Sequence, residues 1–141
     1  DNPVLRRDAT SWKTVPALSK QADKCEHYND VWGAGPSTLF LAGRYPSGYG
    51  CVQRLQGATL LKSWELKGSI SGLAHAVWGS GPSDVYVAGA ALKGKASLVR
   101  FDGAQWKVVE IGTGIDFTDI WGTSATNIYL VGAGGAILHK K

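Results

Sequence analysis

The chain repeats itself, and the repeat restricts its fold more than any local propensity does. Three segments align without gaps: Tyr28-Asn-Asp-Val-Trp-Gly-Ala-Gly-Pro-Ser-Thr-Leu-Phe-Leu-Ala-Gly43, Ala74-His-Ala-Val-Trp-Gly-Ser-Gly-Pro-Ser-Asp-Val-Tyr-Val-Ala-Gly89 and Phe117-Thr-Asp-Ile-Trp-Gly-Thr-Ser-Ala-Thr-Asn-Ile-Tyr-Leu-Val-Gly132. Their tryptophans, Trp32, Trp78 and Trp121, set a period of 46 and then 43 residues. A second motif lies between them. Val99-Arg-Phe-Asp-Gly-Ala-Gln-Trp106 aligns with Gln53-Arg-Leu-Gln-Gly57, followed by an insertion and Trp64, and with Leu5-Arg-Arg-Asp-Ala-Thr-Ser-Trp12. All six tryptophans therefore belong to the repeat. A unit of this length buries its apolar side only by stacking on its neighbours.

Each unit reads as four short strands. In the middle unit these are His75–Trp78, Asp84–Gly89, Ala96–Phe101 and Gln105–Ile111, rich in Val, Leu, Tyr and Trp. Asp84-Val-Tyr-Val-Ala alternates with period two, Gly79-Ser-Gly-Pro-Ser-Asp84 has turn chemistry, and Asp102-Gly103 is a hairpin signal. No stretch sustains a helical period. With 19 glycines punctuating these runs, the expected class is all-β. The approximate units are residues 1–16, 17–67, 68–112 and 113–141, the first being only the outer strand of a closing unit.

The Trp-Gly-x-Gly-Pro-Ser-Asp-Val-Tyr-x-x-Gly pattern resembles the repeats of bacterial secreted or cell-surface β-propellers, over nearly the whole chain. The resemblance implies a propeller of about three four-stranded blades per chain, and implies no particular activity. Asp102-Gly-Ala-Gln-Trp106 is also similar to the Asp-box turn of sialidase-type propellers. It is one residue short between Asp and Gly, so no catalytic residue is carried over. The third unit has three expected strands, Phe117–Trp121, Asn127–Gly132 and Ala136–His139, whereas Ser11-Trp-Lys-Thr-Val15 aligns with the fourth strand of the middle unit. An N-terminal strand completing the last blade is therefore expected. Three blades are too few to close a ring. Two arrangements resolve this: a six-bladed homodimer exchanging its Trp12 strands, or a piece of a larger ring.

Composition narrows the function. Fifteen Lys and Arg against 11 Asp and Glu give a charge of +4, but the basic residues are scattered, so no nucleic-acid groove is expected. No apolar run is long enough to span a bilayer. The absence of methionine is what a processed or trimmed chain would show. His27, His75 and His139 are far apart in sequence, and no nucleophile elbow, His-Glu-x-x-His motif, Cys-x-x-Cys pair or calcium loop occurs. Enzymatic activity, cofactors and metals are not expected. Cys25 and Cys51 sit at one end of the first unit and are expected to form a disulfide, which implies an extracellular, periplasmic or cell-surface location.

Strand alternation puts the regular Gly-Pro-Ser turns at one end of the sheets and every irregular loop at the other. These loops include residues 18–27, 44–50, 67–72, 90–95 and 112–116. Arg44, Tyr45 and Tyr49 form the sharpest cluster, offering aromatic area, cation–π capacity and hydrogen bonding. His27, Lys93 and Lys95 border the same end. The competing reading is a loop folded on itself, its tyrosines packing locally. Trp12, Trp32, Trp64, Trp78, Trp106 and Trp121 are read as structural. The expected function is a non-catalytic module recognising a protein or glycan through its loop end. The alternatives are a self-assembling propeller fragment or engineered scaffold without an evolved ligand, and a lectin with pockets between blades.

Overall fold

Short alternating runs of β-branched and aromatic residues leave the backbone little choice but paired strands. The computed structural model describes residues 5–15, 25–91, 98–112 and 114–141, and among these it holds thirteen strands and no α-helix. The class is all-β, in four antiparallel sheets. A two-stranded hairpin pairs β1 (Leu5–Arg7) with β2 (Trp12–Thr14). Sheet I runs in order through β3 (Glu26–Gly33), β4 (Thr38–Arg44), β5 (Gly50–Gln56) and β6 (Thr59–Glu65). Sheet II follows with β7 (Ala74–Gly81), β8 (Asp84–Gly89), β9 (Leu98–Phe101) and β10 (Trp106–Val108). Sheet III has β11 (Phe117–Ser124), β12 (Asn127–Gly132) and β13 (Ala136–Lys140).

The three repeats thus become three sheets with the expected strand order. The ends move. The first strand of the middle unit is longer than expected, and its fourth is shorter, although the Val109 N–H still donates to the Leu98 carbonyl at 2.9 Å. Consecutive sheets meet through their first strands, β3 against β7 and β7 against β11. One apolar cluster fills each joint. Phe40, Ala42 and Val52 of sheet I pack on Val77, Val85, Val87, Val99 and Phe101 of sheet II. On the other face of sheet II, Ala76, Trp78, Tyr86, Ala88 and Leu98 pack on Phe117, Ile120, Ile128 and Leu130 of sheet III.

The repeated tryptophans build these joints. The Trp32 ring lies over Gly79, where a β-carbon would come within 2.8 Å of it, and Trp78 lies over Gly122, where one would come within 2.9 Å. Only glycine lets the indole rest on the neighbouring strand's backbone. Asp30 adds a polar tie, its Oδ1 accepting its own Val31 N–H and its Oδ2 the Val77 N–H of the next sheet, both at 2.8 Å.

The N-terminal strand does not complete the last sheet within its own chain. β2 pairs with β1, and β13 is an edge of a three-stranded sheet. A partner reached across a four-residue turn costs far less closure entropy than one at the other terminus. The hairpin nevertheless copies β9–β10 in detail. Arg7 faces Trp12 as Phe101 faces Trp106, and Asp8 and Asp102 each accept two backbone N–H bonds in the turn and pair with Lys13 and Lys107.

Candidate functional site

At the loop end, the disulfide forms between Cys25 and Cys51 with Cα atoms 5.8 Å apart, and both residues are buried. Beside it, residues 45–49 close into a turn, with Tyr45 N–H donating to the Tyr49 carbonyl and Gly48 N–H to the Tyr45 carbonyl, each at 2.9 Å. The Tyr45 hydroxyl is 2.6 Å from Ser63 Oγ, Ser63 Oγ accepts from buried Gln53 at 3.2 Å, and the Tyr28 hydroxyl donates to Gln53 at 2.6 Å. Burial pushes the Tyr28 phenol up to about 12, with the charge interaction with Tyr45 adding to it. Tyr49 bridges Ser71 and has the Lys67 ammonium 5.9 Å from its ring. Arg44 is half-buried at the end of β4, and His27 is exposed with φ of 50° at the irregular start of β3. The structure therefore brings Arg44, Tyr45 and Tyr49 onto one loop but engages both tyrosines internally. Lys93 and Lys95 lie outside the described residues, as do residues 18–24 of the first loop.

A concavity lies elsewhere. A cavity of about 570 Å³ opens between the outer strands of sheets II and III. Its walls are Leu98, Val109, Ile111, Ile128, Leu130 and Leu138, and its rim carries Tyr86, Arg100, Lys107 and Lys140. Every cation on the rim is held. The Arg100 Nε donates to Asp84 at 2.6 Å, which pushes the guanidinium further up, and Lys107 pairs with Asp102 at 2.8 Å. The Asp102 carboxyl is held well below the usual carboxylate range by Lys107 first, then by the Gln105 and Ala104 N–H groups. Lys140 donates to the Tyr86 hydroxyl at 3.1 Å and to the Ala125 carbonyl at 2.9 Å.

The reason for this cavity is visible at the other joint. Between sheets I and II the same space is filled by Trp64 and Trp106, their rings 5.9 Å apart and close to Phe101. Between sheets II and III, Val109 stands at the register of Trp64, and among the described residues sheet III has no fourth strand to carry a counterpart of Trp106. The motif alignment equates Trp64 with Trp106, but the registers differ: Trp64 faces Val52, and Trp106 faces Phe101. The irregularity between Arg54 and Leu55 shifts the pairing, which brings the two rings together from opposite sheets.

No protein family's sequence profile, no curated protein and no solved structure matches the chain. The chemistry of the site has to be read from its own geometry. Among the described residues, no three His, Cys, Asp or Glu side chains gather as a metal site would require. His139 stacks on Tyr129 at 4.1 Å and is 2.7 Å from Asn127 Oδ1, on the face of sheet III turned away from sheet II. An apolar floor beside the free edge of β13 can accept an aromatic side chain carried on an extended strand. The missing signal for this site was the missing strand itself, legible in the third repeat but silent about the hole it leaves.

Proposed function

We propose that the chain is a non-catalytic interaction module of β-propeller type, which recognises a protein partner by accepting a strand at β13. The observation that carries this reading is the cavity beside β13, a sheet edge with no partner strand among the described residues, in the place that Trp64 and Trp106 fill at the neighbouring joint. The strand of matching chemistry is β2 of a second copy. Trp12 is 66 % exposed, and the hairpin homology puts it opposite Lys140, facing the cavity. Val15 lies on the opposite side of that strand and is already buried on Leu41 and Leu55 of its own sheet I. β2 then serves as the fourth strand between one copy's sheet III and its own sheet I, the arrangement expected of a six-bladed homodimer. β13 replaces β1, exchanging a marginal two-stranded ribbon for a fourth strand on a packed sheet. The disulfide supports placing this module in an oxidising compartment outside the cytoplasm.

Sedimentation equilibrium tests the reading. Wild type is expected at twice the 14.9 kDa chain mass, and Trp12→Ala at the single-chain mass with an unchanged circular dichroism spectrum. A wild-type monomer, or a dimer indifferent to Trp12→Ala, overturns strand addition.

A further inference from the structure

The outermost faces of sheets III and I are two halves of one joint. At the internal joints the positions of the repeat are buried: Val77 and Ile120 are 3 % and 4 % exposed, and Trp78 is 8 % exposed. The same positions at the ends of the array are open. Val31, the counterpart of Val77 on sheet I, is 57 % exposed, and Trp121, the counterpart of Trp78 on sheet III, is 59 % exposed. Tyr129, Val131 and Ile137 are exposed beside Trp121. The glycines follow suit. Gly79 and Gly122 are each covered by an indole, whereas a β-carbon on Gly33 would meet only Leu39 at 3.5 Å and the Gly35 carbonyl at 3.7 Å. The polar tie does not repeat at the open ends, because the Val31 N–H is already given to Asp30. Asp119 Oδ1 accepts the Ile120 N–H at 2.8 Å, as Asp30 Oδ1 does for Val31. Its Oδ2 has no partner among the described residues, while the matching oxygen of Asp30 holds the next sheet's Val77 N–H.

We infer that a second copy of this chain seats its Gly33 under Trp121, with its Val31 against the sheet III face. The occupant is identified by the internal joints, where the same knob and socket meet in cis twice over, Trp32 on Gly79 and Trp78 on Gly122. Knob and socket lie at opposite ends of the array, so the contact is head-to-tail, and two copies close it with two identical joints. The inference rests on the strand-adding dimer proposed above, but uses a separate set of residues.

The test compares Trp121→Ser, Gly33→Val and Trp12→Ala by sedimentation equilibrium. Trp121 is exposed and a β-carbon on Gly33 would make only ordinary van der Waals contacts, so both variants are expected to keep the wild-type circular dichroism spectrum, whereas Gly122→Val, at an internal joint, is expected to disturb the fold itself. Trp121→Ser and Gly33→Val are each expected to raise the dimer dissociation constant roughly thirtyfold or more, as loss of a buried aromatic anchor does. Mixing the two variants is expected to restore a mixed dimer, because one of its joints then pairs an intact Trp121 with an intact Gly33. A wild-type dimer that tolerates both substitutions, or a mixture that stays monomeric, overturns the joint. A dimer broken by these two but not by Trp12→Ala upholds the joint and overturns strand addition, and the converse pattern does the reverse. A wild-type monomer overturns both.

Discussion

Tyr28 illustrates what single residues do here. Its hydroxyl satisfies the buried Gln53, which in turn reaches Ser63 and Tyr45, so a polar chain crosses the outer face of sheet I. Buried polar groups are tolerable when each has a partner. The phenol's raised value sets a pH dependence. The folded state holds the Tyr28 proton more tightly than the unfolded chain, so this residue's contribution is fully present below pH 10 and is lost as pH rises towards about 12. Tyr28→Phe should remove that alkaline decline while costing about 1–3 kcal/mol at neutral pH, because Gln53 loses its donor. Urea melts of both proteins from pH 7 to 12 check it, and parallel curves would refute the assignment. The sequence singled out Tyr45 as a surface handle. Its hydroxyl instead ends this chain, because Ser63 lies across the sheet at a register that no local pattern encodes.

At the scale of the element, strands and turns were largely legible. Asp84–Gly89 and Asn127–Gly132 form as expected, because period-two alternation between turn residues is a local signal. The Asp102 turn is equally local, one carboxylate capping the Ala104 and Gln105 N–H groups. The cysteine pairing followed from both residues falling at one end of the same unit, and the bond joins the start of β3 to β5 across a 26-residue separation. Chain-entropy arguments put its contribution at about 3–4 kcal/mol. Reduction, or Cys25→Ala with Cys51→Ala, should lower the thermal midpoint by several degrees, and calorimetry with and without a reductant measures it. An unchanged midpoint would mean that sheet I holds this end without the bond. The destination of β2 was less legible. A strand's sequence states its pattern and not its partner, and β1, one turn away, takes the edge that the repeat assigns to the last sheet.

For the whole molecule, the ends of the array are its least completed parts. Sheets I and II have four strands each and share a dense aromatic joint, while the β1–β2 hairpin is exposed along its length. Amide exchange should therefore be slowest in β4, β5, β8 and β9 and fastest in β1 and β2, with β2 and β13 gaining protection as concentration rises if strands are exchanged. Protection in β2 that is independent of concentration would argue for a closed monomer. The sequence by itself determined the all-β class, the three sheets, their internal strand order and the joint-forming role of Trp32 and Trp78, because each follows from repetition and local alternation. Tertiary structure alone decided that Trp12 and Trp121 are left exposed, that Trp64 and Trp106 meet from opposite sheets, and that a cavity opens where they have no counterpart. These depend on register and on what stacks against each face, and a repeat states both only for the units that have neighbours on either side.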